Sequence, residues 1–460
     1  MKKSTRSKCK GTVLIMSMLF VLLFSALAVS MAALSTTNLT IAQNLCKSDG
    51  ARACAESGLE VIRLWMSRAS ISGTTPPSER FNQIAASLQN ELTNESVTNL
   101  SISYNGSTLN IPDVTLNTEA EQSFSAIITQ VDNDTLQVDV TGTQGSITRT
   151  IRAHYAFGTR ANTVFDFGVA SRGPLSLSGN IDMEGANISV ESNAYIESED
   201  SILALSIIGN SHIAGNVKIV NPIATVDLQG GQAGIGGETG QDAIDNHVEF
   251  GVPSSEFPEP VPSTFASYAT TIVDANTDTS VDVNLENVKI VAGTNPTFSG
   301  QATLKGVVFI ETPNVVTFTG NAHLTAIVVG DGDWTDNSSS NQINFGGNVE
   351  SLPVSELPAE TKFEGLHDQI GTFIIAPGFH VSFTGNFTSL CGAIAGNGIE
   401  FSGNAGGTIN GSIINYSSEE ATLSGNTDLY FNRSGIDEIP AGFVPEIILQ
   451  YDPDSYSELM

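Results

Sequence analysis

Cysteine is scarce in this chain of 460 residues: Cys9, Cys46, Cys54 and Cys391 are the whole set. No CxxC pair occurs, and no spacing suits a zinc site. Cys46 and Cys54 lie eight residues apart on a predicted helix, about 12 Å in rise. That is beyond disulfide reach within one helix, which leaves a packed apolar face or an intermolecular bridge. Charge is also scarce, at 15% of residues. Beyond residue 173 the only basic residues are Lys218, Lys289, Lys305, Lys362 and Arg433. At a net charge of −30, such a body repels phosphate backbones, so nucleic acid is excluded as a partner. The six histidines form no HExxH pair, and no GxSxG phrase marks a nucleophile among the repeats described below. The glycine-rich stretches 230–237 and 396–398 lack a following Lys-Ser/Thr, so they do not read as phosphate loops. No catalytic residue is assigned, and the chain reads as a non-enzyme.

The one dense block of positive charge is at the start. MKKSTRSKCKG carries Lys2, Lys3, Arg6, Lys8 and Lys10 and ends at Gly11. The uncharged stretch that follows opens with TVLIMSMLFVLLFSALAVSMAAL (12–34), 23 residues long, which matches the roughly 20 needed to cross a bilayer as a helix. The basic flank is expected to stay cytoplasmic. A cleaved secretory signal fits less well, because the run is long and no small-x-small exit leads to a polar domain. Helix-compatible sequence continues instead to residue 69, and Gly50 and Gly58 weaken it without ending it.

A basic leader ending in glycine, an apolar helix, and then ARACAESGLEVIRLW (51–65) together resemble a type IV pilin-like protein of the PilX type. That family's helix carries an A-x-x-A-E-[AS]-G-L-E phrase, which Ala51, Ala55, Glu56, Ser57, Gly58, Leu59 and Glu60 fit. The resemblance covers roughly the first 65 residues. It implies cleavage between Gly11 and Thr12 by a prepilin peptidase, and a single-pass inner-membrane anchor with a cytoplasmic N-terminus. It also implies a body that is periplasmic, or extracellular after filament assembly. The implied partners are other pilin or pseudopilin subunits and the machinery of a type IV pilus or type II secretion filament. Major pilins begin with Phe and carry Glu at the fifth mature position, where this chain has Thr12 and Met16. The departure suits a minor or tip-like subunit, which needs no partner above it.

Residues 70–165 change character. Pro76 and Pro77 break the helix, a short amphipathic piece is expected at 81–92, and apolar/polar alternation follows. D-N-D at 132–134 reads as a hairpin turn, which is a better use of Asp132 and Asp134 than a cation site. A small antiparallel sheet is expected over about 95–158, and it resembles the β-meander of PilX-type proteins.

One phrase organises residues 166–435. It reads SLSGN (176–180), SIIGN (206–210), TFSGQ (297–301), TFTGN (317–321), NFGGN (344–348), SFTGN (382–386), EFSGN (400–404) and TLSGN (422–426). The glycines Gly300, Gly320, Gly347, Gly385, Gly403 and Gly425 are 20, 27, 38, 18 and 22 residues apart. A period near 20 with short alternating runs predicts a parallel β-solenoid; a sandwich has no reason to repeat one phrase. The apolar residue of each phrase points inward. The turns fall at Gly320–Asn321, Gly385–Asn386, Gly403–Asn404 and Gly425–Asn426, where both residue types tolerate positive φ. Stacked asparagines are expected to form ladders. The glycine- and proline-rich stretch at about 227–290 reads as an inserted loop, and 436–460 as a cap or loose tail.

The expected architecture is therefore mainly β. A leader (1–11) precedes a helix (12–69), an antiparallel meander (70–165), a solenoid (166–435) and a tail (436–460). In DGDWTDN, Asp331, Asp333 and Asp336 put three carboxylates on one loop, a set that suits calcium or else a solvated turn; no other cofactor is implied. Because β-helices also host enzymes and binders of polysaccharide, a membrane-anchored lyase, hydrolase or adhesin is the alternative. A lyase or hydrolase needs paired carboxylates beside a Lys or Arg.

Overall fold

The computed structural model describes residues 10–94, 100–198, 201–336, 338–433 and 439–459. It divides into two compact units: Met1–Ile71 with Thr75–Gly158 and Ile448–Met460, and Ser72–Thr74 with Thr159–Ile447.

The helix-bearing unit opens with α1 (Lys10–Arg68), continuous through Gly50 and Gly58. A second helix, α2 (Pro77–Asn94), begins at a proline, since the first turn of a helix needs no N–H there. It buries Phe81, Ile84, Ala85, Leu88 and Leu92, spaced to lie on one face. Among the described residues the sheet has seven strands, in the order Ser70–Ser72, Glu446–Leu459, Ile147–Arg160, Thr135–Gln144, Gln122–Gln130, Thr108–Asn117, Ser103–Tyr104. The meander is antiparallel, as the alternation implies, and Asp132 Oδ1 accepts from Asp134 N at 2.9 Å in the D-N-D turn. The tail is not loose: Glu446–Leu459 is a strand inside this sheet, burying Ile447 and Leu449. Its acids and Pro453 hid a short apolar alternation.

The solenoid unit stacks parallel strands into two long sheets. The inward residues of the repeated phrase form one ladder. It runs Phe298, Phe318, Phe345, Phe383, Phe401, Leu423, Leu177, Ile207, Leu228, each beside the next in register. The five phenylalanine rings stack at 4.8–5.0 Å with planes within 11°. That spacing is the strand separation itself, so the backbone sets the ring stack.

The ladder also shows that the rungs do not follow chain order. One sheet runs Val248–Phe250, Val217–Ile219, Ala194–Ile196, Val169–Ser171, and then jumps to Ile413–Asn415. From there it descends through Ala393–Gly396, Thr372–Ala376, Ala322–Gly330, Ala302–Ile310 and Val283–Ile290 to Thr271–Val273. The chain thus builds outward from a middle rung, crosses to the far end, and builds back. The seam is the pairing of Leu175–Gly185 with Ala421–Phe431 through eleven in-register residues. Within 227–290, read above as an insertion, the strands Gly234–Ile235, Val248–Phe250, Thr271–Val273 and Val283–Ile290 all belong to the sheets. Only about 251–270 is a connector, fastened by buried Phe257 and Phe265.

Half of the phrase glycines act by close approach without turning. A Cβ on Gly320 would lie 2.0 Å from Gly300 O, on Gly347 1.9 Å from Gly320 O, and on Gly385 2.0 Å from Gly347 O. None of these three has positive φ, and none of the phrase asparagines does; Gly179, Gly209, Gly403 and Gly425 do, at 119°, 90°, 75° and 95°. The expected turn conformation therefore fails at Gly320 and Gly385, where stacking of backbone on backbone is what excludes a side chain.

Candidate functional site

Two parts of α1 have opposite surroundings. From Val13 to Leu45 every large apolar side chain is exposed, including Leu14, Phe20, Phe24 and Leu34. The helix is long and apolar enough to cross a membrane by length and composition. From residue 51 onward one face is buried: Ala51, Cys54, Ala55, Leu59, Ile62, Trp65 and Met66. Cys54 is thus the packed apolar residue expected, while Cys46 is exposed. Gly11 and Thr12 lie in the first turns of α1; Lys2, Lys3, Arg6, Lys8 and Cys9 fall outside the described residues.

The 51–60 phrase has a packing explanation. A Cβ on Gly142 would lie 2.2 Å from both Ala51 O and Ala55 N, so helix and strand backbones meet there with only small residues between them. Gly58 faces Phe124, at 2.6 Å from a virtual Cβ, and Leu59 fills the adjoining space. Glu56 and Glu60 stay outside, beside Arg52 at 3.1 Å and Arg63 at 3.5 Å. The phrase therefore reads as a helix seat: small residues inward, carboxylates outward.

Asp331, Asp333 and Asp336 do not converge on a common point. Asp331 Oδ1 accepts from Gly332 N at 3.0 Å, Asp336 Oδ2 from Asp333 N at 3.0 Å, and Asp333 Oδ1 from Thr335 N at 2.8 Å. Bonds from the Thr335 hydroxyl and N–H hold the Asp333 carboxyl below its ordinary range. Among the described residues no group of three His, Cys, Asp or Glu is placed to hold a metal ion.

The same loop and the connector meet on one aromatic cluster that the sequence reading missed. Trp334 is 38% exposed and stacks on Tyr416 at 5.9 Å. The Arg172 guanidinium sits 5.1 Å from the Phe257 ring, 5.2 Å from Trp334 and 5.4 Å from Tyr416. Asn397 donates to the carbonyls of Trp334 and Asp336, and the buried Tyr416 hydroxyl donates to the Pro258 carbonyl. The cluster pins the connector and the 331–336 loop to the rungs and leaves Trp334 partly in solvent. Phe257, Trp334 and Tyr416 stand far apart in the chain, so no local pattern announces the cluster.

Carboxylate pairs beside a cation do occur. Lys362 Nζ lies 2.6 Å from Glu286 and 2.8 Å from Glu360. Those hydrogen bonds hold the ammonium above its ordinary range. His212 stands beside Asp182 at 3.0 Å and Glu184 at 3.6 Å on the outer sheet surface. Of the predicted turn residues, Asn321 and Asn348 join side chain to side chain at 3.2 Å, as do Asn426 and Asn180 at 2.8 Å. Asn386 offers its carbonyl to Val349, and Asn404 lies in an exposed turn.

No protein-family model and no curated protein matches the chain. Among solved structures, it is similar to the competence-associated pilin ComZ from Thermus thermophilus at 10% identity and a TM-score of 0.30, over 90% of this chain and 98% of that one.

Proposed function

We propose that this chain is a structural, non-enzymatic subunit of the PilX-type minor pilin class. In this reading residues 12–34 anchor it in the inner membrane and the solenoid is displayed outside. The observation that carries the reading is the division of α1. An apolar surface from Val13 to Leu45 has no partner within the described chain, while the next turns are seated on the sheet through Gly142 and Gly58. A helix of that kind suits first a bilayer and then a bundle of like helices. Met16 in place of a glutamate favours a tip or priming position over the filament body. Other pilin subunits, the assembly machinery and a prepilin peptidase are the partners this reading needs, and it needs no cofactor.

Cleavage after Gly11 gives a mature chain beginning at Thr12. Intact-mass measurement of the membrane fraction, with and without an active prepilin peptidase, tests it. Retention of residues 1–11 in the presence of the active enzyme would refute pilin processing.

A further inference from the structure

The strand Ile147–Arg160 has two edges. One pairs with Thr135–Gln144 through ten residue pairs. The other is taken by Glu446–Leu459, the last strand of the chain, whose other neighbour, Ser70–Ser72, is only three residues long. The contacts at this edge are specific. His154 N donates to Ser455 Oγ at 2.7 Å. The Tyr155 and Tyr451 rings meet at 5.5 Å, and the Arg63 guanidinium of α1 lies 5.2 Å from the Tyr451 ring. A Cβ on Gly158 would be 2.5 Å from the Gln450 side chain. The sheet that seats α1 therefore contains a strand-shaped gap that only the C-terminus fills.

Between the two partners lies the solenoid unit apart from Ser72–Thr74, that is, Thr159–Ile447. Closing so long a loop from an open chain is slow and entropically unfavourable. A folded solenoid removes that cost, because its first and last residues adjoin: Arg160 Nε is 2.9 Å from Glu446 Oε2. Once the rungs are stacked, the final strand leaves the solenoid next to Arg160, the end of the strand it pairs with.

We propose that the open edge of Ile147–Arg160 is a strand-binding site for the chain's own C-terminal segment, and that filling it is a completion latch. The helix-bearing unit reaches full stability only after the solenoid has folded. A chain that stops short, or whose rungs fail to stack, keeps an open β-edge next to its membrane helix. Such an edge accepts extended peptide by β-augmentation. A solenoid defect frees the strand and weakens the helix-bearing unit; loss of the strand removes no rung contact, so the solenoid's own transition, which follows that of the helix-bearing unit, stays in place.

Each unit holds one of the two tryptophans, Trp65 and Trp334, so full-length protein in detergent, as W65F or W334F, reports each unit separately in urea. Leu449→Pro is expected to move the Trp65 transition down by about 1 M urea and to leave the Trp334 transition in place. A synthetic peptide of residues 446–459 added to that variant is expected to restore part of the shift. Gly320→Val, which puts a side chain into the Gly300 carbonyl, is expected to move both transitions. Where Leu449→Pro does not accumulate, Leu449→Ala is expected to give a smaller shift in the same direction. An unmoved Trp65 transition in either Leu449 variant, both transitions moving together in one of them, or a Trp65 transition indifferent to Gly320→Val would each overturn the latch.

Discussion

At the scale of single residues, burial decides what the tyrosines do. Burial pushes the Tyr416 and Tyr155 hydroxyls well above their ordinary ionisation range. A raised folded-state value means the stabilising protonated form is fully present below the unfolded value, about 10. That contribution is lost as pH rises through the folded value. A spectrophotometric pH jump to strong alkali is therefore expected to show Tyr416 and Tyr155 ionising only in the slow phase that accompanies unfolding. Tyr416→Phe removes one slow component and one hydrogen bond to Pro258, at a cost of about 1 kcal/mol. If all eight tyrosines ionise within the mixing time, the burial described here is wrong. Glycine works by the opposite logic: at Gly320, Gly347 and Gly385 the side chain is absent because the neighbouring rung's carbonyl already fills its place.

At the scale of elements, α1 has two different surfaces, and only one was legible as composition. The apolar run 12–34 announces a helix long enough to span a bilayer, whereas the small residues at 51, 55 and 58 read only as a family phrase and not as a seat. What they meet was not legible, because Gly142 lies far along the chain in an ordinary-looking turn-rich stretch. Gly142→Ala pushes a methyl into the α1 backbone, not into a movable side chain. It is expected to cost about 3 kcal/mol, the upper end for overpacking, read as a lower urea midpoint at Trp65. Trp334, in the other unit, serves as the internal control. An unchanged Trp65 midpoint would mean that the helix is not seated there. The tail strand was missed for a physical reason: across 446–459 the charges and proline at Asp452, Pro453, Asp454 and Glu458 mask the short apolar run Ile447–Leu449 with Tyr451, and only pairing reveals which face is inward.

At the scale of the whole molecule, the solenoid is two stacks that meet on a shared middle rung. The ladder places Leu177 between Leu423 and Ile207, and Leu228 at an end. Leu177→Asp buries an unpaired charge in the middle of both stacks. Hydrogen exchange is expected to show lost protection in Ala421–Phe431 and Ile399–Phe401. Leu228→Asp, at the half-buried end of the ladder, is expected to leave both strands protected. If Leu177→Asp affects only 169–250, the seam is not where it is described. One sequence signal did mark the seam: SLSGNIDM (176–183) and TLSGNTDL (422–429) are near-copies, and they are the two strands that pair.

The sequence alone determined the class of each part. Local pattern carries that information: a long uncharged apolar run makes a helix, period-two alternation a meander, and a phrase recurring near every 20 residues a stacked coil. Only the tertiary structure decided the order of the rungs, the true length of the connector and the destination of the C-terminus. The reason lies in the repeat itself. Rungs built on one phrase are chemically interchangeable, so any rung can sit on any other. Which pair actually meets is set by long-range closure, by where the connector can cross and where the last strand must emerge.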